Sequence, residues 1–272
     1  MRTEQQDEPL PSRRTAVVTG ASAGIGAAYA RKLAERGFNL ILVARRKDRL
    51  ATLRDELESR FGTSVDPVCA DLADDRDVGS LAAMIRDRDD VEILVNNAGF
   101  GVQGPFHEAD IEKNLAMIRV HVLATVRLTH AALPQMIARN RGYVINVSSL
   151  ASFLAAPGAV SYCATKGYLN SFSQSVQQEL QKTAVRIQSL CPGFTYTEFH
   201  DLPDARMDRS LVPKFMWMSA DRVVEISLRA VERRKVICVP GVVNRILALA
   251  IRSHVFDPFV RRAYGKHLKK GA

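Results

Sequence analysis

The chain has 272 residues, of which 47% are hydrophobic and 25% charged, the composition of a soluble globular protein long enough to bury a large core. Its net charge of +9 is concentrated at one end: from Arg229 onward eleven Lys or Arg face two acidic residues, and the 27 basic and 27 acidic residues before that point cancel. This argues against a surface that coats nucleic acid and for a basic C-terminal face.

Residues 1–13 form a polar stretch with two prolines and no apolar run of the secretory kind, so a disordered tail is expected. From there, short β-branched runs alternate with helical stretches. TAVVT (Thr15 to Thr19) precedes a helix reaching Arg36, and FNLILVA (Phe38 to Ala44) precedes a charged amphipathic one. SVDPVCA (Ser64 to Ala70) reads as a weaker strand because Pro67 interrupts it. VEILVNN (Val91 to Asn97), a long helical region to about Asn140 and GYVINVSS (Gly142 to Ser149) follow. A helix around Tyr162, AVRIQSLCPG (Ala184 to Gly193), a helix near Ala220 to Arg233 and KVICVPG (Lys235 to Gly241) close the series. Seven apolar strands with helices between them predict an α/β fold, a Rossmann-like doubly wound parallel sheet with helices on both faces. One domain over residues 14–240 is expected, with a basic amphipathic extension over 241–272. Cys69, Cys163, Cys191 and Cys238 have no metal-ligand spacing, so four reduced core thiols, no metal site and a cytoplasmic setting are expected.

The first strand runs into TGASAGIG and then a helix. Gly20, Gly24 and Gly26 permit a tight turn and a close backbone approach, so a dinucleotide pyrophosphate is expected at the helix N-terminus, with Ser22 and Ile25 in the same loop. At the end of the second strand, where a carboxylate would accept from the adenosine ribose hydroxyls of NAD, stand Arg45 and Arg46. Two guanidinium groups suit a 2′-phosphate, so NADP(H) is preferred over NAD(H). Further on, SYCATKG places Tyr162 and Lys166 four residues apart, on one face if the segment is helical. A fixed positive charge beside a weak acid of ordinary pKa about 10 favours the phenolate and makes the tyrosine a usable proton donor and acceptor.

TGASAGIG, NNAG (Asn96 to Gly99), Ser149, YCATK (Tyr162 to Lys166) and PGFTYT (Pro192 to Thr197) occur in one order from about Arg14 to Val239. In this the chain resembles the single-domain short-chain dehydrogenases/reductases. LILVARRKDRL and NNAGFGVQGPF make it similar to bacterial hydroxysteroid dehydrogenase and carbonyl reductase-like members. The resemblance implies that Tyr162 exchanges the proton with the substrate oxygen. Lys166 would bind the nicotinamide ribose and lower the tyrosine pKa, and Ser149 would hold the substrate oxygen. It also implies that Asp71 and Leu72 meet the adenine, that Asn97, Ala98 and Gly99 meet the adenosine ribose and sheet edge, and that Pro192, Gly193, Thr195 and Thr197 border the carboxamide. His121 stands where the family has an asparagine that keeps a helix distortion and a water touching the lysine. Its two ring nitrogens could support the same water, or the residue could be a plain packing substitution or weaken the relay; retained activity is expected, because the backbone carbonyl that holds the water does not depend on the side chain.

Residues 194–220 are expected to cover the site as a lid with a deformable apolar lining. Phe199, Met207, Phe215 and Trp217 from that segment, with Phe100 and Phe153 beside the site, are the candidate walls for a hydrophobic ketone, aldehyde or alcohol. Reduction of a β-ketoacyl group on an acidic carrier, and NADPH sensing without turnover, are the competing readings. The apolar run beyond Pro240 is too broken to span a membrane. It suits packing or subunit contact first and peripheral binding to an anionic membrane second. The family resemblance implies a homodimer or homotetramer.

Overall fold

The computed structural model describes residues 14–201 and 208–252. The polar tail, Met207 and the last twenty residues of the basic extension lie outside the described residues. Seven strands form one sheet: β1 (Thr15–Thr19), β2 (Asn39–Ala44), β3 (Val65–Cys69), β4 (Val91–Asn96), β5 (Tyr143–Val147), β6 (Arg186–Leu190) and, later in the chain, β9 (Ile237–Cys238). Their spatial order is β3-β2-β1-β4-β5-β6-β9, and every adjacent pair is parallel. All of β1 and β4 is buried, as strands covered on both faces must be. Side chains alternate between two cores: Ala16, Val18, Leu40, Leu42, Ile93 and Val95 enter one, whereas Val17, Ile41, Val43 and Leu94 enter the other.

Against the first face pack α1 (Gly24–Glu35), α2 (Lys47–Phe61) and α7 (Ala220–Glu232). Against the other lie α3 (Asp75–Arg86), a long helical rod and α6 (Val160–Glu179). The rod, expected as one helix, is α4 (Ile111–Ile118) and α5 (Thr125–Ala138) joined by a π-helical turn over Arg119–Ala124. The strand order reverses between β1 and β4, and the crevice beyond their carboxyl ends is where a doubly wound sheet takes a ligand.

Two expectations need correcting. Cys69 is exposed, because β3 is an edge strand whose Pro67 leaves the ladder on the open side; Cys163, Cys191 and Cys238 are buried thiols. The last strand shrinks to two residues, paired only through Ser189 and Leu190. The segment expected as a lid is bracketed by a second, two-stranded parallel pair, β7 (Thr195–Tyr196) with β8 (Met218–Ser219). Helix α8 (Val242–Arg252) buries Asn244, Ala248 and Ile251 and exposes Val242, Ile246 and Leu249. Among the described residues no helix is long and apolar enough to cross a membrane.

A buried hydroxyl chain locks α1, α7 and β6 together. Tyr29 donates to Ser227 Oγ at 2.5 Å, and Ser227 donates to Gln188 Oε1 at 2.5 Å. Tyr29→Phe leaves the Ser227 acceptor unmatched in the core, so urea unfolding should show a loss of about 1–3 kcal/mol with the fold retained.

Candidate active site

The site is built where β1 and β4 end. Thr19, the last residue of β1, accepts on Oγ1 from the backbone N–H of Asn97 (2.9 Å) and Ala98 (3.1 Å). Asn97 returns its side-chain amide to the carbonyls of Thr19 (2.9 Å) and Gly20 (3.2 Å). Gly20 and Gly24 hold φ of +65° and +56°, which other residues adopt only with strain. A Cβ on Gly26 would collide with the Gly20 carbonyl and lie 2.6 Å from Asn97 Nδ2. Asn97, Ala98 and the glycine loop are thus one interlocked unit.

This unit fits a dinucleotide. Helix α1 starts at Gly24 with no side-chain cap and no acidic residue in its first turn, so its free N–H groups suit an anion. Ser22 Oγ accepts from Arg46 Nε (3.1 Å) and Nη2 (2.9 Å), which sets a hydroxyl and a guanidinium together at the ribose end. Arg45 projects into solvent and reaches Asp71 at 3.8 Å, while Asp71 Oδ1 accepts from the Ala73 N–H. Leu72 turns its side chain into one core, and the half-buried Ile25 packs against the other. Thr197 packs on Gly24, Thr195 Oγ1 donates to the Gly193 carbonyl (3.0 Å), and the Pro192 carbonyl accepts from Leu150 (2.8 Å).

Two participants are absent from the sequence reading. Glu198, on the lid, bridges Arg46 (3.0 Å) and Arg49 (2.6 Å). Arg49 was visible as a neighbour of Arg46 on one helix face; Glu198, 149 residues away along the chain, carried no signal.

Ser149 follows β5, and its Oγ accepts from the Ala151 N–H (3.1 Å) and hydrogen-bonds Tyr162. Tyr162 and Lys166 share one face of α6, with Lys166 Nζ 5.8 Å from the centre of the Tyr162 ring. Lys166 is buried and donates to the Val147 carbonyl at 2.8 Å. Burial pushes its pKa down to about 7 and raises that of Tyr162 to about 12, against the lowering effect of the Ser149 hydrogen bond. In the protein alone desolvation governs the tyrosine, and the phenol stays protonated at neutral pH.

His121 lies in the π-helical turn, buried, with its pKa held well below the usual imidazole value by burial first and by Lys166 second. Its ring meets Phe100 at 6.2 Å and the edge of Tyr162 at 5.8 Å. Phe199 reaches the Tyr162 ring at 6.0 Å from the lid. Phe153 carries the Arg252 guanidinium 5.8 Å above its ring. Trp217 and Phe215 are corrections: Trp217 is buried within the lid, stacked on Tyr196 at 4.9 Å and tilted against Phe194 at 5.5 Å, and Phe215 is 71% exposed. The lid uses its large aromatic as its own core and turns Phe215 outward.

Comparison with known proteins matches residues 14–206 to the family model described as short chain dehydrogenase. The NADP-dependent 3-hydroxy acid dehydrogenase YdfG of Salmonella typhi is 38% identical over 185 residues, 67% of this chain and 73% of that protein. The human very-long-chain 3-oxoacyl-CoA reductase is 31% identical over 222 residues, 79% of this chain and 69% of that one. A solved short-chain dehydrogenase from Sphingobium yanoikuyae in complex with NADPH superposes with a TM-score of 0.80 at 32% identity, covering 90% of this chain and 95% of that one.

The burial of Lys166 has a pH signature. Unfolded, this lysine keeps its proton up to about 10.5, whereas folded it loses it above about 7. Between those values the unfolded state binds more protons, so stability gained from this group rises with pH. Urea unfolding of the cofactor-free protein at three pH values across that window should show native stability climbing relative to Lys166→Met; a flat or falling difference contradicts the assignment.

Proposed function

The chain belongs to the short-chain dehydrogenase family, and from that premise we propose an NADP(H)-dependent oxidoreductase that reduces a hydrophobic ketone or aldehyde, reversibly with the corresponding alcohol. The observation that carries this reading is the grouping around the half-buried Tyr162. Ser149, Lys166, His121 and the apolar Phe199 surround it, at the same sheet edge as the glycine cradle. NADP dependence is supported by the named Salmonella relative and by the NADPH bound to the Sphingobium protein. The human relative's name specifies a ketone on a long acyl chain, which agrees with an apolar lining around the tyrosine.

Bound NADPH supplies the hydride. Residues of this chain then have separable tasks. The α1 N-terminus and glycine loop would hold the pyrophosphate, and Ser22 with Arg46 the 2′-phosphate. Ser149 fixes the carbonyl oxygen so that it faces the Tyr162 hydroxyl. As negative charge develops on that oxygen, Tyr162 gives up its proton to it, and the tyrosine later recovers a proton from solvent. A phenol whose pKa is raised to about 12 is present in the form reduction requires at neutral pH. Lys166, beside the ring, would stabilise the transient phenolate and hold the nicotinamide ribose. Phe199 and Phe100 exclude water from the reacting bond. A contact between copies through the rod and α6 is part of the same reading, supported by Ile111, Leu115, Leu123 and Tyr168, large apolar side chains left exposed on those elements.

Purified protein should oxidise NADPH with bulky apolar ketones, and Tyr162→Phe should lower turnover by roughly 10²-fold or more with NADPH affinity unchanged. Activity confined to β-ketoacyl groups on a carrier protein, or full activity in Tyr162→Phe, would displace this reading. Arg46→Ala should weaken NADPH binding by roughly tenfold, about one charge-assisted hydrogen bond, and leave NADH binding unchanged. Fluorescence titration of both cofactors checks it, and an equal loss for the two would remove Arg46 from the 2′-phosphate site.

A further inference from the structure

We propose that His121 is a positioning residue: a neutral imidazole, protonated on Nδ1, that clips the Gly99–Phe100 turn to the helix carrying Tyr162 and Lys166. This deepens the reading above and rests on it for the roles of those two residues.

The hydrogen bonds leave one arrangement of protons. The backbone N–H of Phe100 points at Nε2 from 3.2 Å, so Nε2 is the acceptor and carries no proton. Nδ1 lies 3.0 Å from Thr165 Oγ1. The single hydroxyl proton of Thr165 goes to the Tyr162 carbonyl at 3.0 Å, so the proton between Nδ1 and Thr165 belongs to the ring. The tautomer is therefore fixed from both ends, and each ring nitrogen is already used. Both ring nitrogens are thus engaged within the protein, which gives the side chain a positioning task.

Three elements meet at this ring. The π-helical turn contributes His121, the segment after β4 contributes Phe100, and α6 contributes Thr165, which sits three residues after Tyr162 and one before Lys166. Gly99 makes room, since a Cβ there would lie 2.6 Å from Nε2. The ring then stands T-shaped to the Tyr162 ring with centres 5.8 Å apart, so the clip sets the tyrosine relative to the Gly99–Phe100 wall. The ionisable groups facing it are Tyr162 and Lys166, both on α6. A second cation in this desolvated place would repel the Lys166 ammonium and take away the acceptor for Phe100, so the function of the ring requires that it stay neutral.

The test is nitrogen-15 NMR of histidine-labelled, full-length protein without cofactor, with the His121 signals assigned by their loss in His121→Asn. The expected result is one ring protonated on Nδ1 and bare on Nε2, unchanged from about pH 6 to about pH 9, with its Nδ1 signal displaced in Thr165→Val. An Nε2-protonated ring, or a titration inside that range, overturns the proposal. Kinetics give a second readout. His121→Ala and Thr165→Val should each lower kcat by roughly tenfold with the KM for NADPH within about twofold, and the double variant should lose no more than the worse single one. Additive losses, or a pH-profile limb that disappears with His121, overturn it as well. The NMR result needs no turnover: if the tautomer is as expected and Tyr162→Phe remains active, the catalytic reading fails and the clip stands.

Discussion

A lysine ammonium enclosed by protein, with the Val147 carbonyl 2.8 Å from its Nζ, sets the conditions under which the rest of the site operates. The carbonyl is the last of β5, and Ser148 next along the chain donates its hydroxyl to the Lys166 carbonyl at 2.8 Å. Strand and helix are thus stitched in both directions, which brings Ser149 and Tyr162 against one another. The cost is desolvation. It lowers the lysine pKa and raises the tyrosine pKa, and it leaves no tolerance for another charge nearby. A neutral histidine behind the pair follows from that constraint rather than from any feature of His121 taken alone.

Magnitudes separate the permanent parts of the cofactor crevice from the movable ones. The Thr19–Asn97–Gly20 junction uses largely buried groups, each of which would be left unpaired if the turn shifted, a penalty of about 1–3 kcal/mol apiece. The tie from the lid, Glu198 to Arg46 and Arg49, joins side chains nearly half exposed, where an ion pair contributes about 0.2–1 kcal/mol. The glycine loop is accordingly the more strongly held part of the crevice, and the Glu198 tie the weaker one.

Most of the fold was legible because its signals are local. Runs such as LILV and ILV show burial on two sides, and the strand–glycine–helix succession at Thr19 to Gly26 marks the crevice. Tyr162 and Lys166 were legible for the same reason, being one helical turn apart. What the sequence hid depends on contacts across the fold. The π-helical turn has no composition of its own, and only the family resemblance pointed to a distortion at His121. Trp217 reads as a pocket wall until Phe194 and Tyr196 are seen stacked on it. Glu198 meets two arginines only after 149 residues of chain have folded between them. The electrostatics were the least legible: a Tyr-x-x-x-Lys spacing suggests a lysine that lowers the tyrosine pKa, and only the folded surroundings bring in the desolvation that raises the tyrosine and lowers the lysine.

The central claim is that Tyr162 delivers the proton to the carbonyl oxygen within the reducing step. It is tested most directly by single-turnover reduction of a bulky apolar ketone, in H2O and in D2O, with NADPH carrying hydrogen or deuterium at the transferred position. The account predicts a slower rate with the deuterated cofactor and a further slowing in D2O, both in the same step. Equal rates in the two solvents, alongside a clear effect of the deuterated cofactor, would contradict it.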